Sequence, residues 1–218
     1  MSITILVALC LGLYAASKQN TAGDVGVMTL SQLGLALPNF WLAILLILLF
    51  AVTLGWFPSF GRGDTVKVGW WSTGLLTAKG WHHIVLPAVT LAVFQLTLIM
   101  RLVRAEMLEV LRTDYIKFAR ARGLSNRTVH FGHALKNTLV PVITIAGLQL
   151  GSLIAFAIIT ETVFQWPGVG SLFISSVQSA DIPVMATYLL FVAAFFVLVN
   201  LIVDLLYFAV DPRLRVER

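Results

Sequence analysis

His82 and His83 stand side by side in a sequence that is otherwise poor in groups able to do chemistry. Adjacent side chains on a helix diverge by about 100°, so these two cannot easily share a metal ion. With no carboxylate or thiolate close by, they are read as interfacial polar residues and not as ligands. Thr160-Glu161-Thr162 places an acid at the end of an apolar run, where catalysis would need a base or a metal that the sequence does not supply. The sole cysteine, Cys10, lies inside an apolar run, which excludes a disulfide framework and a cysteine metal cluster. The GxxxxGK[ST] phosphate loop, GxSxG and HExxH are all missing, so no catalytic residue, metal or cofactor is expected. Asp204 is the acid set deepest in an apolar run, and such residues are functional suspects by default. It lies six residues before Val210, about 9 Å of helix, and so near an interface. It is expected to pair with a cation of the Arg101–Lys136 segment in preference to relaying protons. Gln95, Gln149 and Asn200 could each bond across helices or line a polar path, and the sequence leaves both open.

The elements that must carry these residues are membrane helices. The chain is 59% hydrophobic and 11% charged, with mean hydropathy +0.92, whereas soluble domains are about 25% charged. Five spans are expected, over residues 3–16, 33–57, 84–103, 139–160 and 184–210, together forming one transmembrane domain over 1–218. The first run, ITILVALCLGLYAA, is not preceded by the cations of a signal peptide and is read as a short membrane helix. The pI near 9.7 is explained by membrane topology, and no nucleic acid is expected as a partner. With the segments around Lys18, Arg101–Lys136 and Arg213–Arg218 in the cytoplasm, twelve cations lie inside. Arg62, Lys67 and Lys79 are then the three outside, which puts the amino terminus outside and the carboxyl terminus in the cytoplasm. Trp56, Trp70, Trp71 and Trp81 crowd the outer loop and are read as interfacial anchors in the lipid bilayer. Gly147 and Gly151 form a GxxxG pair that would let another helix approach closely.

Between two of these spans runs DYIKFARARGLSNRTVHFGHALKNTLVP, Asp114–Pro141, a long polar and basic stretch. Asp114–Arg122 has helical composition, Gly123 stops it, and Ser125 or Asn126 could cap a second helix. A helix–Gly–helix hairpin rich in cations and without a catalytic set reads as a docking surface for a driving partner. On the outer face, ETVFQWPGVG brings Pro167, Gly168 and Gly170 after Glu161 and Trp166. These break any helix, so the segment should turn back or lie along the interface.

DYIKFARARGLS, HALKNTLVPVITIAGLQLG, ETVFQWPGVG and NLIVDLLYFAVDPRLR, in that order, resemble permease subunits of bacterial binding-protein-dependent ABC importers. The match is to the dipeptide, oligopeptide and nickel branch and covers nearly the whole chain. The resemblance implies an all-α polytopic membrane protein with the type I importer permease fold and a cytoplasmic coupling helix within 104–138. It implies partners: a homologous second permease, two cytoplasmic ABC ATPases and a periplasmic or lipid-anchored substrate-binding protein. By position Lys117-Phe118-Ala119 match the family's Glu-Ala-Ala triplet and Gly123 its glycine, while Lys136 falls where the archetype has proline. The coupling surface is therefore expected to use Asp114, Tyr115, Lys117, Phe118, Ala119 and Arg120, followed by Gly123, Leu124, Ser125, His133 and Lys136. Glu161, Trp166, Pro167, Gly168 and Gly170 would form a re-entrant segment near the point of substrate delivery. The implied function is ATP-driven import of di- or oligopeptides across the inner membrane, with nickel or glutathione as alternative cargo. Branch members usually have six spans, and this chain starts where their second would, so a truncated, misannotated or split gene and a non-functional remnant are carried as expectations. A stand-alone secondary transporter would favour inverted repeats and midplane charges, and neither is evident.

Overall fold

A computed structural model describes residues 2–210, with side chains up to Leu206. The fold is mostly helical: α1 (Ser2–Ser17), α2 (Ala22–Ala36), α3 (Asn39–Leu46), α4 (Ala78–Leu111), α5 (Asp114–Ala121), α6 (Leu135–Val163), α7 (Val169–Gln178) and α8 (Ile182–Val210). Two π-helical stretches continue α3 as Ile47–Thr53 and lead into α6 as Thr128–Ala134. A hairpin of β1 (Val66–Val68) and β2 (Trp71–Thr73) pairs Val66 with Thr73 and Val68 with Trp71. Among the described residues three helices are long and apolar enough to cross a membrane: Ala78–Leu111, Thr128–Val163 and Ile182–Leu206. The expected first span falls on α1, which at 16 residues measures about 24 Å against a hydrocarbon core of about 30 Å.

The stretch expected as a span over 33–57 contains a helix break. Leu33 belongs to α2, which ends at Ala36, and α3 starts at Asn39. The break follows from Pro38, whose ring disfavours helical backbone at the preceding residue and which offers no N–H to continue the ladder. Pro38 itself is extended, with φ −57 and ψ 142, and its carbonyl accepts the N–H groups of Trp41 and Leu42 at 3.0 Å each.

By Cα packing the described chain divides into two compact units. One comprises residues up to Ala36, Gln95–Leu150 and from Phe196 onward; the other comprises Leu37–Phe94 and Gly151–Phe195.

In the first unit α1 presents a stripe of small residues, Ala8, Gly12, Ala15 and Ala16, to its neighbours. A Cβ on Gly12 would stand 2.7 Å from Val103 Cβ and 2.8 Å from the Met100 carbonyl, so α1 and α4 nearly touch backbones. Lipid is as apolar as leucine, so helices in a bilayer associate through such close packing and not through water exclusion. Ala8, Ile99, Met100, Val103, Val142 and Ala146 form the resulting core, drawn from α1, α4 and α6. Gly147 lets Val203 of α8 press against α6, where a side chain would collide.

A second cluster joins Ala16 and Met107 to Ile116, Ala119, Val129 and Ala134 and seats α5. Asp24 of α2 is 2% exposed and receives Arg104 of α4 through both carboxylate oxygens, at 2.7 and 2.6 Å, with the Asn20 N–H at 3.0 Å. Asp204, by contrast, is exposed and takes part in no ion pair among the described residues. The pairing expected for Asp204 is therefore corrected: among the described residues of this unit the buried ion pair is Asp24–Arg104.

In the second unit Ala43, Leu86 and Phe164 form a small core. Phe94 and Phe156 meet with ring centres 5.1 Å apart, joining α4 to α6.

Candidate functional site

The Asp114–Pro141 segment is preceded by Thr113, whose extended backbone (φ −68, ψ 154) lets α5 start at Asp114. Ile116 and Ala119, three residues apart, lie on one face and are buried, at 0% and 7% exposure. That face anchors α5 to Met107, Val129 and Ala134, and burying Ile116 alone is worth about 1.5–3 kcal/mol. Outside that face Phe118 is 65% exposed, and Tyr115, at the margin of the packed face, is half exposed. The Arg122 guanidinium lies 5.9 Å from the Phe118 ring centre, a cation–π distance that ties charge to the aromatic on the same surface. Lys117 bonds Asp114 at 2.8 Å, and the ammonium beside it holds the Asp114 carboxyl below the usual carboxylate range. Both groups are open to solvent, so this pair orients side chains and adds little stability.

Gly123 ends α5. Its φ of +79 is left-handed, and its N–H reaches the Arg120 carbonyl at 2.9 Å while the Leu124 N–H reaches Ala119 at 3.4 Å. These two bonds form a Schellman stop, which satisfies carbonyls that the helix end would orphan. Ser125 then caps the next helix: its hydroxyl receives the Thr128 N–H at 3.3 Å and bonds the Thr128 hydroxyl at 3.0 Å. Of the two expected caps, Ser125 serves and Asn126 does not.

Asn137, which sequence reasoning passed over, donates to the Tyr115 hydroxyl at 2.6 Å and fastens α5 to α6. His133, Lys136 and Phe131 are exposed on the same stretch, so the structure gathers aromatic and cationic groups here. Asp24 was also passed over, although a lone acid in AGDVGVMTLSQLGLA is the signal that could have found it.

The Glu161–Gly170 segment turns sharply after α6. Gln165 adopts φ +48, the Trp166 N–H returns to the Glu161 carbonyl at 2.8 Å, and α7 begins after Gly168. The Glu161 carboxylate stands at the start of α7 and accepts the Ser171 N–H at 2.8 Å, while the Ser171 hydroxyl accepts the Gly168 N–H at 3.0 Å. An acid in that place satisfies one of the helix's free donors and complements its dipole. Gly168 and Gly170 are required by space: a Cβ on Gly168 would run into the Glu161 carboxylate, and one on Gly170 would lie 2.8 Å from Ile158 Cγ1 and 3.0 Å from its Cα. Trp166 is half-buried, and Pro167 is exposed at the turn. Phe173 of α7 stacks on Tyr188 of α8 with ring centres 4.4 Å apart, so α7 folds back onto the helix that follows it.

Elsewhere, His83 Nδ1 donates to the Lys79 carbonyl at 2.8 Å and His82 rests 5.7 Å from the Phe57 ring. Among the described residues no group of three His, Cys, Asp or Glu is arranged to hold a metal.

Three comparisons agree on what this arrangement resembles. The di/tripeptide transport system permease protein DppB of Pseudomonas aeruginosa is 43% identical over 222 residues, covering 96% of this chain and 66% of that protein. The oligopeptide transport system permease protein AppB of Bacillus subtilis is 39% identical over 97% of this chain and 65% of its own length. The dipeptide transport system permease protein DppB of Escherichia coli is 38% identical over 99% and 68%. The chain thus spans about two thirds of the length of the curated relatives it matches. Among solved structures, a chain of the MetNI methionine ABC transporter in an inward-facing form superposes with a TM-score of 0.67 at 20% identity, over 96% of this chain and 90% of that one. That likeness shows the fold, the all-α type I importer permease expected from the sequence. The profile for binding-protein-dependent transport system inner membrane components matches residues 8–216, and the chain belongs to that family of multi-pass inner-membrane permeases.

Proposed function

We propose that this chain is one half of a translocation pathway for short peptides, driven by ATPases that dock on α5. The observation that carries the reading is the two-faced α5: Ile116 and Ala119 fix it to the membrane helices, while Phe118, Arg122 and Leu124 are left for a partner. Exposed aromatic and arginine side chains clustered on a firmly seated helix are what protein interfaces use as anchors. The Schellman stop at Gly123 and the Asn137–Tyr115 bond make α5 a stiff lever, so displacement at its exposed face would move α4 and α6 with it.

The chain has no phosphate loop, so ATP is hydrolysed by separate subunits, two of them, on the cytoplasmic side. The cation distribution supports that orientation, with the amino terminus outside, the carboxyl terminus inside and the hairpin Val66–Thr73 in the periplasm. A homologous permease completes the pathway, and a substrate-binding protein delivers peptide at the outer face, where Glu161–Gly170 lies. Peptides are the proposed cargo because the similar permeases carry peptide-transport names.

Affinity purification of the tagged chain from native membranes, with mass spectrometry of what accompanies it, tests the assembly. We expect an ATPase with a GxxxxGK[ST] loop and a second permease. Recovery of the chain stable but alone would contradict the reading.

A further inference from the structure

Two clefts in the second unit share Glu161 and Trp166. The first, about 230 Å³, is walled by Ile84, Pro87, Leu91 and Ala157 and carries its polarity at Thr160 and Glu161. The second, about 380 Å³, is polar and runs past Gln165, Ser171, Ser175 and Gln178. No Lys, Arg or His lines either one. The Glu161 carboxylate spends one oxygen on the Ser171 N–H, and its other oxygen has no hydrogen bond among the described residues. Thr160 is 2% exposed and accepts a hydrogen bond from the Asn39 amide at 3.1 Å, which leaves Asn39 Oδ1 buried and without a partner. An unpaired carboxylate oxygen and an aromatic ring therefore meet where both clefts share Glu161 and Trp166, with no positive charge in either lining. A free carboxylate oxygen and an aromatic face both favour a cationic donor, so such a site calls for a ligand ammonium.

We propose that Glu161 binds the amino-terminal ammonium of the translocated peptide, with the first side chain in the apolar cleft and the following amides along the polar one. This rests on the peptide-importer reading and names the part of the cargo that the permease itself recognises. The apolar cleft is smaller than the roughly 300–1,000 Å³ of sites for drug-sized ligands, which suits one side chain and not a whole peptide. Glu161 lines both clefts, so the charge sits where the side-chain pocket meets the backbone track.

The test uses the full chain in detergent, with L-leucinamide and N-acetyl-L-leucinamide as probes and calorimetry as the readout. The wild-type chain should bind leucinamide about tenfold or more tightly than its acetylated form. Glu161→Gln keeps an oxygen for the Ser171 N–H, so it should preserve the α7 cap and lose the preference. Ala88→Phe, which fills the apolar cleft while keeping the carboxylate, should weaken leucinamide binding at least as much. Equal binding of the two probes by the wild-type chain, or an unchanged preference in Glu161→Gln, would overturn the proposal. The measurement needs neither ATPase nor transport, so its failure leaves the importer reading standing. Failure to recover an ATPase would overturn that reading and leave the binding result untouched.

Discussion

Gly123→Pro is expected to reduce peptide uptake about tenfold or more, while the amount of chain in the membrane stays close to normal. The reason is local and threefold. Gly123 sits at φ +79, whereas proline is locked near −65°. Its N–H, lost in proline, closes the bond to Arg120. Proline also disfavours helical backbone at Arg122, the C-cap of α5. The end of α5 must then unwind, taking Phe118 and Arg122 out of register with the buried Ile116 and Ala119. None of these residues belongs to the core of Ala8, Ile99 and Val142, so insertion and folding of the long helices should survive. Gly123→Ala gives the graded control. No atom lies within 4 Å of the position a Cβ would take, so the cost is that of left-handed backbone alone, about 1–2 kcal/mol. Uptake of a labelled dipeptide, normalised to chain in the membrane, should rank wild type, then Gly123→Ala, then Gly123→Pro. Normal uptake by the proline variant would remove α5 from the mechanism.

Arg104→Met is expected to be the more damaging change to stability, at about 3–5 kcal/mol. It leaves the Asp24 carboxylate, 3% exposed, with only the Asn20 N–H for compensation. Asp24→Asn should cost less, because asparagine still accepts from Arg104, whose side chain keeps 24% exposure through which to reach a polar surrounding. Changing both, as Asp24→Leu with Arg104→Met, should recover most of the loss, since no buried charge is then stranded. Thermal unfolding of the purified chain in detergent would show the order. If the single arginine variant were as stable as the double, the pair would have no structural role.

Much of the Asp114–Pro141 segment was legible because its signals are local. Gly123 declares a helix stop within a few residues of the turn it makes, whereas Phe118 came into view only through the resemblance of Lys117-Phe118-Ala119 to the family's triplet. The long helices α4, α6 and α8 are runs of apolar residues with few rivals for interpretation.

What escaped notice depends on distance or on backbone pattern. Asp24 finds Arg104 eighty residues away, and most of α2 falls outside the expected spans because its Gly, Ser, Thr and Gln dilute the apolar run. Pro38 hides a helix break inside a stretch whose composition is continuous. The stripe Ala8, Gly12 and Ala16 becomes meaningful only when Val103 is seen against Gly12. Glu161 looked like an acid without a partner because the group it serves is a backbone N–H ten residues on. The π-helical turns at Ile47–Thr53 and Thr128–Ala134 have no residue signature that would reveal them.

The most direct measurement is photocrosslinking from position 118 in intact cells, with p-benzoylphenylalanine in place of Phe118 and, as a control, in place of Trp70. Both side chains are exposed, at 65% and 97%, so each can reach a neighbour. Position 118 should capture a subunit carrying a GxxxxGK[ST] loop, and position 70 should not. Capture of that subunit from position 70, with none from position 118, would contradict both the docking role of α5 and the orientation of the chain.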